Sequence, residues 1–240
     1  MSRPEPPRPK KRRRSAVRQL GRWLLIGLFV GLILSWLLVL PLRWINPPTT
    51  AFLLQDDIAQ QALFYDWLAW EDIGGAAPLA VVAAEDQKFA THFGFDFTSI
   101  RRSLEASADG AALRGASTIT QQTAKNLYLW PGRNFLRKGI EAYFTLLLET
   151  ALGKRRILEI YLNIIEFGPG IFGVSAASKT FFGKSPDALT DAEAALLAAV
   201  LPNPRVLLVA GPSDYVRQRQ RWIIGQMDRL RREGWIDSLQ

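Results

Sequence analysis

The chain contains no cysteine and only one histidine, His92, in 240 residues. Without thiols it forms no disulfide and offers no sulfur to a soft metal, and it tolerates oxidising and reducing compartments alike. His92 has no second histidine or cysteine to complete a zinc site, so no protein-held metal is expected. Charge is also missing from one long stretch, the twenty residues from Trp23 to Leu42. About twenty apolar residues suffice to cross the hydrocarbon core as a helix. No small-residue cleavage site occurs at Val39-Leu40-Pro41-Leu42-Arg43-Trp44, which argues for a retained anchor over a removed signal peptide.

Positive charge is plentiful but uneven. Of 30 basic and 22 acidic residues, nine basic and one acidic lie in residues 1–22, which leaves 21 of each for the remainder. A nucleic-acid binder would carry its basic excess on the folded domain, so no nucleic-acid partner is expected. A basic run just before an apolar span stays on the cytoplasmic side, and the chain beyond the span crosses the membrane. The chain therefore divides into a cytoplasmic basic tail (1–22, read as disordered), a transmembrane helix (23–42), a juxtamembrane segment (43–77) and a catalytic-sized domain (78–240). Trp36 and Trp44 are placed to sit at the outer interface.

Beyond residue 77 the signals are helical. Pro78 suits a first helical position and opens a helix to about Phe89. Asp96 is a candidate N-cap for 97–107, and Gly110–Gly115 reads as a mobile link. Further helices are expected near 119–127, 134–152 and 155–165, then from a capping box at Thr190-Asp191-Ala192-Glu193 to Pro202, and from Asp214 to Arg232. Gly168–Gly173 reads as a loop, and strand patterns are scarce.

Four polar blocks carry the chemistry. In the first, Glu85-Asp86-Gln87-Lys88-Phe89-Ala90-Thr91-His92, Asp86 falls within an apolar helical stripe and Glu85 at its edge. A carboxylate among apolar groups needs partners and acquires a shifted pKa. Taken alone, such a pair is more often a buried hydrogen-bond network than a catalytic site, and His92 alone is as often a helix cap. In the second, Gly115-Ala116-Ser117-Thr118-Ile119-Thr120-Gln121-Gln122-Thr123-Ala124-Lys125-Asn126, hydroxyls gather where a helix starts, which suits either N-capping by Ser117 or anion binding. Lys125 is a candidate phosphate ligand. In the third, Arg137-Lys138-Gly139-Ile140-Glu141, Arg137 and Glu141 share a helix face beside the apolar stripe of Ile140, Phe144 and Leu148. The fourth, Lys154-Arg155-Arg156-Ile157-Leu158-Glu159-Ile160-Tyr161-Leu162-Asn163, reads as a structural amphipathic helix with Glu159 and Asn163 buried and bonded.

In order and spacing these blocks resemble the motifs Glu-Asp-x-x-Phe-x-x-His, Gly-(Gly/Ala)-Ser-Thr-x-x-Gln-Gln, Arg-Lys-x-x-Glu and Ile-Leu-Glu-x-Tyr-Leu-Asn of the peptidoglycan glycosyltransferase family. A weaker fifth match runs from Ala194 to Pro204, and the resemblance covers about residues 65–210. Phe181-Phe182 departs from the family's usual Tyr-Phe. Neither Ser-x-x-Lys nor Lys-Thr-Gly occurs, so no penicillin-binding transpeptidase domain is expected and the family's monofunctional branch fits. The resemblance implies a mainly α-helical, lysozyme-like, two-lobed fold that polymerises lipid II into β-1,4-linked glycan for the cell wall and is a target of moenomycin. It implies Glu85 as general base and Glu141 as the carboxylate assisting departure of undecaprenyl pyrophosphate, with a divalent cation (Mg or Mn) admitted there and no organic cofactor. Asp86, Phe89, His92, Ser117, Thr118, Gln121, Gln122, Lys125, Asn126, Arg137 and Lys138 are the implied substrate-binding or supporting residues. The implied partners are lipid II, the lipid-linked nascent glycan, the membrane, and cell-wall synthesis or division proteins. The implied location is the inner membrane, single-pass, with the domain in the periplasm. Rival readings are a lytic glycosidase, against which the cations at Lys125, Arg137 and Lys138 argue, and an inactive anchor, against which the two glutamates argue.

Overall fold

The computed structural model describes residues 11–55, 66–108, 117–132, 134–235 and 239. The first ten residues of the tail, part of the juxtamembrane segment, the Gly110–Gly115 link and Ala116 lie outside them. The chain forms two compact units, residues 1–41 and 42–240.

The first unit is one helix, α1 (Lys11–Val39), continued by a 3₁₀ turn from Leu40 to Arg43. Its stretch from Arg18 to Arg43 is long and apolar enough to cross a membrane. The helix begins at Lys11, inside the tail expected to be disordered. Lys, Arg, Gln and Leu are good helix formers, and extending a helix that an apolar span has already nucleated costs little per residue.

The second unit is mainly helical. Two short helices, α2 (Ala51–Gln55) and α3 (Trp70–Ile73), precede α4 (Ala76–Glu85). Next come α5 (Phe97–Ala108), α6 (Ile119–Tyr128), α7 (Phe135–Ala151) and α8 (Lys154–Ile164). A small antiparallel hairpin, β1 (Glu166–Gly168) with β2 (Ile171–Phe172), leads to α9 (Val174–Phe182), α10 (Asp191–Ala199) and α11 (Asp214–Arg232). The helices pack as two groups: α4 with α10 and α11, and α6 with α7 and α8.

Helix α4 is buried on all sides from Ala77 to Ala83, as a helix apolar around its whole circumference must be. Burying Leu79 alone contributes about 1.5–3 kcal/mol, and its side chain is wholly enclosed. The helix starts two residues before Pro78 and stops at Glu85, four short of the expected end. Asp86 leaves the helix with φ −159° and ψ 74°. Its burial therefore does not come from a place on the helical stripe.

Helix α10 opens with the expected capping box: Thr190 Oγ1 accepts from the Glu193 amide and the Glu193 carboxylate accepts from the Thr190 amide. Helix α11 is capped by Ser213 and buries Val216, Ile223, Met227 and Leu230. The expected loop at 168–173 is largely the hairpin. Gly173 closes it at φ 81°, where a Cβ would lie 2.7 Å from the Asn163 carbonyl oxygen, so only glycine fits. Helix α9 was not expected, because its small residues Ser175, Ala176, Ala177 and Ser178 give no apolar period.

Candidate active site

Glu85, the last residue of α4, reaches the seam between the two helical groups. Gln122 Nε2 on α6 donates to Glu85 Oε2 at 2.9 Å, and Arg219 Nη2 on α11 donates to Oε1 at 3.2 Å. Arg219 also donates to the Ala84 carbonyl at 3.4 Å. Tyr161 Oη on α8 donates to Gln122 Oε1 at 2.9 Å. Burial raises the Glu85 pKa above the ordinary carboxylate value, opposed by the Gln122 hydrogen bond and by the charges of Arg219 and Lys125. A carboxylate so placed is more basic than one in water.

Asp86 points elsewhere. Its carboxylate accepts from His92 Nε2 at 2.9 and 3.0 Å and from the Ile119 amide, the first of α6, at 3.1 Å. It ties the end of α4 to the start of α6 and so sets Glu85 opposite Gln122. Phe89 exposes none of its side chain and lies under the Lys154 ammonium at 4.6 Å. Thr118, not Ser117, is the N-cap of α6: its Oγ1 accepts from the Gln121 amide and donates to the Gly94 carbonyl at 2.6 Å, while Gln121 Oε1 accepts from the Thr118 amide. Asp86, Phe89, Thr118 and Gln121, expected as substrate-binding or supporting residues, are all buried, and Asp86 and Thr118 also line the cleft beside Glu85. His92, half-buried, is joined to them through Asp86. A second buried set sits below, where Glu149 Oε1 accepts from Thr120 Oγ1 at 2.6 Å and from Lys154 Nζ at 2.7 Å.

Glu141 is held by cations on its own helix. Arg137 Nη1 donates to Oε2 at 3.2 Å, and the Lys138 ammonium donates to Oε1. Glu141 and Arg137 are both buried. Lys125, one turn beyond Gln122 on α6, lies within the fields of Glu141, Arg137, Glu85 and Lys138, and burial lowers its pKa. Arg137 Nε is buried with no acceptor among the described residues. Three cations around one carboxylate, with a spare donor, leave net positive charge for an anion. Asn126 is buried on the same helix.

The buried residues of α7 are Arg137, Glu141, Thr145, Leu147, Leu148, Glu149 and Ala151, so Leu147, Leu148 and Ala151 of the apolar stripe are inside, whereas Ile140 and Phe144 are only half-buried. Part of the inward face is polar because it faces the site, so apolar periodicity marks it imperfectly. On α8, Asn163 is buried and pairs with both backbone groups of Leu68, as expected, whereas Glu159 bonds Arg156 at 2.8 Å but is only half-buried.

Beside Glu85 a cleft of ≈ 360 Å³ opens, lined among others by Lys88, Arg102, Ser117 and Arg229. Ser117 is exposed at its edge. The sequence reading missed Arg219 and Tyr161. The signal for Arg219 was a cation in register with the Val216–Ile223–Met227 stripe of α11. Among the described residues no group of three or more His, Asp or Glu could hold a metal ion. Glu141 is already met by Arg137 and Lys138, so as it stands it offers no free carboxylate to a divalent cation.

Comparison with known proteins agrees with this geometry. A family model described as Transglycosylase matches residues 56–228. The chain is 50% identical over 221 residues to a biosynthetic peptidoglycan transglycosylase of Shewanella oneidensis, covering 89% of this chain and 94% of that one. It is 50% identical over 211 residues to the protein of the same description from Pasteurella multocida, covering 85% of each. A third such relative, from Stutzerimonas stutzeri, is 49% identical over 203 residues, with 82% of this chain and 84% of that one covered. With a matched segment that contains Glu85, Glu141 and every cation around them, the chain belongs to the transglycosylase family.

Proposed function

We propose that the protein is a peptidoglycan glycosyltransferase that polymerises lipid II into β-1,4-linked glycan and releases undecaprenyl pyrophosphate. The observation that carries this reading is the unequal pair of carboxylates: Glu85 made more basic by desolvation, Glu141 embedded among three cations. Glu85 takes the proton from the 4-hydroxyl of the acceptor lipid II as that oxygen bonds to C1 of the donor sugar. The bond from C1 to the pyrophosphate oxygen breaks with inversion, and the electron pair leaves on the phosphate. Lys125, Arg137 and Lys138 neutralise that developing charge, and Glu141 holds Arg137 and Lys138 in place for it. Glu141 as it stands offers no free carboxylate to a divalent cation, so no step runs through one.

The test is incubation of the purified full chain with labelled lipid II in detergent, alongside Glu85→Gln. Polymer that moenomycin and the substitution both abolish supports the reading. No polymer from folded protein overturns it, and shortened fragments from intact sacculi would favour a lytic glycosidase instead.

The same proposal places the enzyme in the inner membrane by α1, tail in the cytoplasm and domain in the periplasm. The basic tail before the span supports that orientation, and a reporter fused to either terminus tests it. Trp130, Phe135 and Leu136 are exposed, Phe135 almost entirely, and offer an apolar surface to lipid near the cations. Leu129 belongs to the core instead. Ser at Trp130 and Phe135 should reduce polymerisation in vesicles and spare it in detergent. Equal activity in vesicles would remove the lipid-contact role.

A further inference from the structure

Glu85 does not hold its amide partner alone. A glutamine side chain offers a donor at one end and an acceptor at the other, with almost the same shape either way round. In the observed orientation Gln122 Nε2 faces Glu85 Oε2 and Gln122 Oε1 faces the Tyr161 hydroxyl, each at 2.9 Å. Turned over, Gln122 would set carbonyl lone pairs against the Glu85 carboxylate. That arrangement repels the anion and favours the protonated acid. The orientation of one amide and the proton occupancy of the base are therefore linked.

We infer that Tyr161 is a positioning residue for glycosyl transfer, its buried hydroxyl keeping the donor end of Gln122 on Glu85. The inference rests on Glu85 being the base proposed above.

The packing supports this. Helix α8 lies against α6, and Tyr161 is wholly buried among Ile157, Leu158, Ile160 and Leu162. The ring is thus fixed, and its one polar atom reaches Gln122 Oε1. Burial, then the charges of Glu85 and Asp86, push the Tyr161 pKa well above 10, so the hydroxyl keeps its proton and remains a donor. The charged groups that bear on Glu85 are Arg219 from α11, Lys125 from α6 and the adjoining Asp86; Lys125 is in turn under the charges of Glu141, Arg137 and Lys138 on α7. None of these contacts the amide oxygen of Gln122 in the way the tyrosine does. A hydrogen bond donated to a carboxylate favours its ionised form, and Gln122 lowers the Glu85 pKa in that way. Tyr161 acts one bond further out, through Gln122.

Tyr161→Phe keeps the ring and deletes the donor. The amide can then turn, the ionised form of Glu85 loses support, and the acid limb of the kcat/KM profile moves to higher pH. The expected displacement is about half to one pH unit, hence about a three- to tenfold loss on the acid limb and recovery toward wild type as pH rises. KM for lipid II should stay unchanged. Gln122→Met should move the limb the same way, and adding Tyr161→Phe to it should move it no further.

The experiment is the pH profile of lipid II polymerisation by the full chain in detergent, for wild type, both single variants and the double variant, with thermal melts alongside. A displaced limb and non-additive singles support the inference. The same fractional loss at every pH, no loss, or additive shifts overturn it. Should Tyr161→Phe fail to fold, 3-fluorotyrosine at position 161 keeps the ring, strengthens the donor and should move the limb to lower pH; an unmoved limb then overturns the inference. Activity retained by Glu85→Gln would instead defeat the assignment of the base, a separate result.

Discussion

Two glutamates, Glu85 half-buried and Glu141 buried, sit in opposite electrostatic settings. Glu85 lies at a helix end with an amide on one oxygen and a single guanidinium on the other. Glu141 lies inside a helix with an arginine and a lysine on its own surface and Lys125 across from it. Burial dominates at the first, so its pKa rises and it becomes a base. At the second, surrounding cations outnumber the carboxylate, so the ensemble is an anion site in which the glutamate is the organiser. In the proposed reaction, chemically identical side chains thus divide proton transfer from charge neutralisation, because environment and not residue type sets the role.

The largest test of that division is Glu85→Gln, which should lower lipid II polymerisation by about 10²–10⁴-fold, the usual worth of a positioned base. Its stability should also respond to pH in a distinctive way. The folded pKa of Glu85 lies above its unfolded value. Between the two, the native chain keeps a proton that the unfolded chain has lost, so wild-type stability falls as pH rises through that window. The glutamine variant lacks this loss, and melts at acid and neutral pH should show wild type weakening relative to it.

Glu141→Gln should act on the fold as well as on the reaction. Arg137 would stay buried without its counter-charge, a loss of about 3 kcal/mol for a broken buried pair. Denaturant unfolding should show it, and added pyrophosphate should restore part of it by taking the vacated place. The absence of such rescue would mean that the cations do not form an anion site.

Gly94→Ala tests the scaffold that sets the two glutamates in register. Gly94 has φ 75°, its carbonyl accepts from Thr118, and a Cβ there would stand 2.7 Å from Thr145 Cγ2. The expected cost is about 1–3 kcal/mol, for a side chain in the left-handed region, with a fall in activity because Thr145 lies one turn from Glu141. Smallest of all, Thr190→Ala should remove a helix cap far from the carboxylates, cost about 1 kcal/mol in thermal unfolding and leave the pH profile as it was.

Much of this molecule was legible in the residues. Caps at Asp96 and Thr190 and apolar spacing located most helices, since those signals act within one or two turns. Errors came where a distant contact overrode the local signal. Asp86 reads as part of a helical stripe, yet the Ile119 amide and His92 draw it out of the helix and end α4 early. Ser117 and Thr118 are equivalent caps by type, and the Gly94 carbonyl favours the second. On α7 the buried face carries Arg137, Glu141 and Glu149, so the hydrophobic pattern lies slightly off the true inward direction.

By itself the sequence determined a helix-rich catalytic body behind an apolar span, the two glutamates and the cations beside the second of them. Only the tertiary structure decided what each carboxylate faces. Arg219 is 134 residues from Glu85 and Gln122 is 37, and no spacing rule links them. Desolvation, Coulomb attraction and hydrogen-bond direction depend on distances of a few ångströms in space, and folding creates those distances between residues that are remote along the chain.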